Sequence, residues 1–240
     1  MKLQASEIKK LYDILTISAI GNISALVIED SIVRGMNDDR SCVILSDHEV
    51  PKFGQKVGIS RISALKSLLD IFMDDVNVSI EAKESDRGEI SQLEISAGRN
   101  KGQFRCTAVS SIKAPKSISD EPVFLLTVGK DELTKIFQGV KVKNAKKLAI
   151  SILKNGNVSF QMTDANHDNL KFEVDAVAEK LVDEDMDSVT HYFNTDVFMS
   201  VIRKASEDGD VVLTVGAGGT ITLLVNEHRM TIMPQVGEDE

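Results

Sequence analysis

The chain of 240 residues has no tryptophan, two tyrosines, two cysteines and four prolines, and each scarcity closes off a class of function. Two tyrosines and no tryptophan leave little for the stacking of successive bases on aromatic side chains, which argues against a single-strand binder. Cys42 and Cys106 stand far apart, so neither a disulfide framework nor a zinc spacing is present. No apolar run approaches the ~20 residues that a membrane-crossing helix needs. The opening MKLQASEIKK lacks the apolar core of a secretory signal, so a soluble intracellular protein is expected, with no membrane partner. Cations are outnumbered as well: 28 Lys and Arg face 37 Asp and Glu, for a net charge of −9. That excludes a generally basic nucleic-acid coat, though not positive charge gathered on one surface. The 42% hydrophobic and 27% charged residues are the mixture of a folded chain. Its length fits one large domain or two small ones.

Catalytic constellations are missing too. Gly216-Ala217-Gly218-Gly219 is glycine-rich, but a dinucleotide loop opens a helix, whereas Thr220–Val225 follows with strand character. The run from Asp183 to Ser188 begins like a calcium loop, yet it has no glycine at the sixth position and Asn194 at the twelfth, where a bidentate Glu belongs. His48, His167, His191 and His228 fall in no metalloprotease spacing and beside no nucleophile motif. The residues propose no reaction, no metal and no cofactor. A non-enzymatic protein is expected.

What the chain does contain is repetition. Met1–Leu15, Val57–Phe72, Leu126–Val140 and His191–Ala205 each place a short apolar strand before a helix with an apolar stripe. Ile62, Leu65, Leu69 and Phe72 share one helical face, and Phe198, Val201, Ile202 and Ala205 another. Ser6 and Thr195 are the expected N-caps. Strand candidates fill the intervals: 24–28, 32–36, 42–45, 76–81, 90–96 and 104–109, then 123–128, 148–153, 158–162, 170–174, 211–215, 220–225 and 229–233. Lys154–Asn157 and Gly216–Gly219 read as hairpin turns. Between the halves, Ser110–Pro122 holds two of the four prolines and no period. An α+β protein follows, with two similar domains at 1–110 and 123–236, a linker at 111–122 and an acidic tail at 237–240. Each domain has two helices packed on antiparallel β-sheet.

The cations concentrate on the helices. Taken as 6–15, 61–72, 130–140 and 197–206, these carry eight basic and five acidic residues, a surplus of three that leaves the remainder of the chain at −12. Lys9, Lys10, Lys66, Lys135, Arg203 and Lys204 lie away from the apolar stripes, and Lys141, Lys143, Lys146 and Lys147 follow the third helix. Helices that carry positive charge while strands and loops are acidic suit contact with a polyanion, through salt-sensitive and sequence-independent phosphate contacts.

Several stretches carry a family resemblance. Ser6-Glu7-Ile8-Lys9-Lys10-Leu11, Arg34-Gly35-Met36-Asn37 with Arg40-Ser41-Cys42-Val43, Ile59 to Leu65, Arg203-Lys204-Ala205, and the end from Met230 to Glu240 are together similar to the two-domain DNA sliding clamps. These are the class of proliferating cell nuclear antigen and the phage polymerase clamps. The pattern departs at Arg40, where the family has His, at Met233, where it often has Ala, at Lys66, one step off its basic positions and followed by Asp70, and in a shorter linker. The resemblance implies a homotrimeric ring that encircles double-stranded DNA and tethers a DNA polymerase, placed there by an ATP-dependent clamp loader. It implies DNA contacts from Lys9, Lys10, Lys66, Lys135, Lys141, Lys143, Arg203 and Lys204. A peptide-docking pocket is implied at Met36, Val43, Ile118, Met233, Pro234 and Val236. Subunits would join through Phe104–Val109 and a strand near Ala176–Val182, and the ring would act in the cytoplasm, on the nucleoid of a bacterial, archaeal or phage-infected cell. The residues alone leave open a homo-oligomeric β-rich scaffold protein whose basic helices merely face solvent.

Overall fold

A computed structural model describes residues 2–73, 77–182 and 188–235. The chain divides into two compact units, Met1–Ser117 and Ile118–Glu240. The first runs β1 (Lys2–Leu3), α1 (Ala5–Ile20), β2 (Ala25–Glu29), β3 (Ile32–Met36), β4 (Cys42–Ser46), β5 (Lys56–Ser60), α2 (Ile62–Phe72), β6 (Ser79–Glu84), β7 (Glu89–Ala97) and β8 (Asn100–Arg105). The second runs β9 (Pro122–Val128), α3 (Lys130–Lys143), β10 (Lys147–Ile152), β11 (Asn157–Thr163), β12 (Asn169–Val177), β13 (Glu179–Lys180), β14 (Val189–Asn194), α4 (Thr195–Ala205), β15 (Val211–Gly216), β16 (Ile221–Val225) and β17 (His228–Ile232). The residues from Asp183 to Asp187, Val76, Val236 and the tail 237–240 lie outside the described residues.

The repeat extends to strand pairing. In the first unit β1-β6-β7-β8 form one antiparallel ribbon and β5-β2-β3-β4 another. In the second, β9-β15-β16-β17 and β14-β10-β11-β12 repeat that order, with β13 added beside β9. One short contact in these otherwise antiparallel ribbons runs the other way. β5 and β7 run parallel through Lys56↔Glu89 and Val57↔Ile90, because the α2 crossover between them lets two strands of the same direction meet.

Alternation decides which face of each strand is covered. Val211, Leu213 and Val215 of β15 are buried, as are Ile221, Leu223 and Val225 of β16, while Val212 and Leu224 between them face out. Onto the covered faces pack Ile8, Leu11, Ile14, Leu15 and Ile17 of α1, Leu65, Leu69 and Phe72 of α2, Leu133 and Ile136 of α3, and Phe198, Val201 and Ile202 of α4. In the second unit the Phe198 ring tilts against Phe193 and Phe160, with centroids 6.1 and 6.3 Å away.

Several local boundaries differ from the sequence reading. β8 begins at Asn100, not Phe104, because Gly98 (φ 57) closes a two-residue loop that resumes pairing at Ala97↔Asn100. The expected caps shift: Gln4 precedes α1 without a side-chain cap bond. At α4 the Asn194 Oδ1 accepts from the N–H of Asp196 at 3.0 Å and of Val197 at 3.3 Å. Thr195 is therefore the first helical residue, and it is buried. α1 continues to Ile20 because Leu15, Ile17 and Ser18 keep a buried face. α3 continues to Lys143, where Asn144 in the left-handed conformation (φ 47) ends it, so Lys141 and Lys143 are on the helix rather than after it.

Gly139 sits mid-helix in α3 at a close approach. An added Cβ there would meet Phe172 Cε2 at 2.5 Å and Met162 Sδ and Leu170 Cδ2 at 3.1 Å. Replacing helical Gly by Ala ordinarily stabilises by about 1 kcal/mol, but overpacking costs about 1–3 kcal/mol. Gly139→Ala is expected to lower the urea midpoint; a raised midpoint would show that the ring of Phe172 moves aside freely.

Candidate nucleic-acid interface

In each unit, burying one stripe of two adjacent helices leaves their other sides exposed, and the eight expected contact residues lie there. Four have no carboxylate partner among the described residues: Lys9 on α1, Lys135 and Lys141 on α3, and Arg203 on α4, all exposed. The other four are engaged. Lys10 Nζ lies 2.9 Å from Glu49 and 3.3 Å from Glu7; its hydrogen bond to Glu49 first, then that to Glu7, raises its pKa. Lys143 reaches Asp164 at 3.4 Å, and Lys204 pairs with Glu207.

Lys66 belongs to a closed triad across α1 and α2. The Tyr12 hydroxyl donates to Asp70 at 2.6 Å and accepts from Lys66 Nζ at 3.0 Å. Lys66 also lies 3.3 Å from Asp70 and 4.7 Å from the Tyr12 ring centroid. Tyr12 holds the Asp70 carboxyl below its ordinary range and, with Asp70, holds Lys66 in its charged form. The second unit has a looser counterpart, in which the Arg203 guanidinium lies 5.3 Å from the Phe137 ring centroid. Tyr12 and Phe137 carry no formal charge and leave no mark in a charge pattern; the i,i+4 spacing of Lys66 and Asp70 is the available signal.

Of the expected partner-pocket residues, Met36 and Val43 face each other across β3 and β4. Val43 is 2% exposed and lies in the core with its strand neighbours Cys42 and Ile44, which are also buried, so it offers no surface to a peptide. Ile118, Met233 and Pro234 in the second unit are half-buried. Beyond them the Gln235 N–H donates to the Tyr192 carbonyl at 2.7 Å.

A separate polar cluster ties the chain ahead of β9 to the β15–β16 turn. Asp120 accepts from the Gly218 N–H at 2.7 Å, the Thr220 N–H at 3.1 Å and the Thr220 hydroxyl at 2.6 Å. Gly219 (φ 86) lies so close to His191 that a Cβ would be 2.2 Å from its Nδ1. Burial pushes the Asp120 carboxyl up, but these three hydrogen bonds outweigh it and it titrates below the ordinary 3.8. Burial lowers the His191 pKa below 6.5, only partly offset by Asp120. Among the described residues no group of three or more His, Cys, Asp or Glu is placed to hold a metal, and no helix is long and apolar enough to cross a membrane.

No protein-family model matches the sequence, and no curated protein is found similar to it. Solved structures are similar. Proliferating cellular nuclear antigen from Entamoeba histolytica matches with a TM-score of 0.63 and 12% identity over 98% of both chains. The DNA polymerase III subunit beta from Pseudomonas aeruginosa matches with a TM-score of 0.69 and 12% identity; all of this chain is covered, and 66% of that subunit. The chain has the sliding-clamp fold, with few helices on large sheets.

The cluster at His191 gives a pH test with a defined sign. Its pKa is lower folded than unfolded, so the unfolded chain takes up the proton first and stability falls as pH drops below 6.5. Asp120, also lowered by folding, adds a second loss below 3.8. Urea midpoints are expected to be level above neutrality and to fall between pH 6.5 and 5, and His191→Gln should flatten that fall. An unchanged profile in the variant would show that His191 is not the group responsible.

Proposed function

We propose that the chain is a DNA sliding clamp: a ring that surrounds duplex DNA, carries out no chemistry and tethers a DNA polymerase. The observation that carries this reading is the full-length likeness to a proliferating cellular nuclear antigen, 98% of both chains. Two units with one connectivity and exposed cations on their helices support it. On this reading 1–110 and 123–236 are the clamp domains, 111–122 the linker and 237–240 an acidic tail. Three copies supply six domains. β8, which exposes Lys101 and Arg105, would pair head-to-tail with β12, which exposes Asp175 and a Lys171–Glu173 ion pair; the net charges are opposite, and closure removes two open sheet edges. An ATP-dependent loader opens the ring, and tethering raises the polymerase's effective concentration at the template. Polymerase and loader dock by short peptides on a surface that includes Ile118, Met233 and Pro234.

Encirclement predicts a topological signature. Protein retained on circular plasmid should be released when a single cut linearises the DNA. Sedimentation equilibrium should show a trimer. Equal retention on both DNA forms, or a chain monomeric at every concentration, would overturn the ring. For the partner surface, Met233→Ala with Pro234→Ala should weaken binding of a polymerase C-terminal peptide at least tenfold in calorimetry. The trimer should stay intact, and unaltered peptide affinity would place the docking site elsewhere.

A further inference from the structure

The two helix pairs are built alike but charged differently. α1 carries Lys9 and Lys10 against Glu7 and Asp13, and α2 carries Lys66 against Asp70; this pair is electrically neutral. α3 carries Lys130, Lys135, Lys141 and Lys143 against Asp131 and Glu132, and α4 carries Arg203 and Lys204 against Asp196. On these bounds, which leave the exposed Arg61 just ahead of α2, the second pair holds the whole helical surplus of three charges. Among the described residues, ion-pair partners from outside the helices leave the gap unchanged, since Glu49 joins the first pair while Asp164, Glu207 and Lys146 join the second.

Matching positions show how the difference is built. Ile62, Leu65 and Leu69 of α2 correspond to Thr195, Phe198 and Ile202 of α4, all buried. The next residue is Asp70 in one helix and Arg203 in the other. Likewise the eighth residue is Tyr12 in α1 and Phe137 in α3. The Tyr12 hydroxyl binds Asp70 and Lys66 together and closes their charges on each other. Phe137 has no hydroxyl and offers Arg203 only its ring face, a contact that positions a guanidinium while leaving its N–H groups to solvent.

We propose that the second unit carries most of the phosphate contacts along the helices, through Lys135, Lys141 and Arg203 against Lys9 alone in the first pair, where the Tyr12–Lys66–Asp70 triad withholds Lys66 from DNA. This rests on the reading of the chain as a DNA clamp and names which part of the helical surface meets the duplex. An exposed ion pair adds little to folding, but toward a polyanion it removes a charge outright. The first pair thus keeps Lys9 as its one cation without a carboxylate partner among the described residues, against three in the second.

The test is fluorescence anisotropy of a labelled duplex with the full chain across a potassium chloride series, reading affinity and the slope of log affinity against log salt. Each lost phosphate contact lowers that slope by about 0.9. Lys135→Gln, Lys141→Gln and Arg203→Gln together should weaken binding at least tenfold and lower the slope by about 2–3 per engaged protomer. Lys66→Gln with Asp70→Asn, which removes the pair as a unit, should change affinity less than twofold. Asp70→Asn alone frees Lys66 and should tighten binding and steepen the slope by about 0.9. The substituted side chains other than Lys66 are exposed, and thermal melts check that each variant folds. If the Lys66/Asp70 pair variant weakens binding as much as the triple variant, or Asp70→Asn changes nothing, the division of labour is overturned while the clamp reading stands. If no variant moves the slope, the helices do not meet phosphate and the inference fails; release from linearised plasmid then judges the clamp reading separately.

Discussion

Two amphipathic helices laid side by side on a sheet must turn their polar sides the same way, and the chemistry of this protein follows from that constraint. The stripes Ile8–Leu11–Ile14–Leu15 and Leu65–Leu69–Phe72 are buried in the first unit, and Leu133–Ile136 and Phe198–Val201–Ile202 in the second. Fully burying such side chains stabilises by about 1.5–3 kcal/mol each, far more than any surface charge contributes. Lysines and arginines between the stripes are thereby displayed together whatever their own preferences. Burial places the helical cations, and neighbouring groups then adjust the charge they present.

That adjustment works through partners with little bearing on folding. Surface pairs such as Lys10–Glu49 or Lys66–Asp70 add little to stability, because water screens them and holding two long side chains costs entropy. Their larger effect is on what a nearby polyanion feels. A formal charge read along a helix therefore overstates the field wherever a carboxylate or phenol reaches across, as Tyr12 does to Asp70. Arg203 over Phe137 is oriented without being neutralised, so an aromatic neighbour and an acidic one have opposite consequences for the charge presented to solvent.

Duplication also tolerates different joints. The ribbons of the first unit meet through the short parallel contact of β5 and β7. In the second unit β14 stays with β10, and the segment before β9 is fastened instead by Asp120, whose carboxylate satisfies two N–H groups and a hydroxyl of the β15–β16 turn. Gly219 permits this by giving His191 room that a side chain would occupy.

The repeated strand–helix plan, the four helices, the outward-facing cations and the break between the halves are legible in the sequence, because each rests on local periodicity: 3.6 for a buried helical stripe, 2 for a half-covered strand. Strands 32–36 and 211–215 are found where alternation places them. Caps and ends were harder, since Asn194 rather than Thr195 caps α4 and α3 runs on to Lys143; one residue of cap geometry outweighs composition there. Val43 as core, the Tyr12–Lys66–Asp70 triad, Arg203 over Phe137 and the Asp120 cradle were decided only by tertiary structure. Tyr12 and Asp70 are 58 residues apart and Asp120 and Thr220 are 100 apart, and no pattern of period 2 or 3.6 extends over such distances. The sequence by itself determines which side of each helix faces solvent; packing two helices against each other decides which of those charges remain unpaired, because an ion pair depends on distance in space and not on separation along the chain.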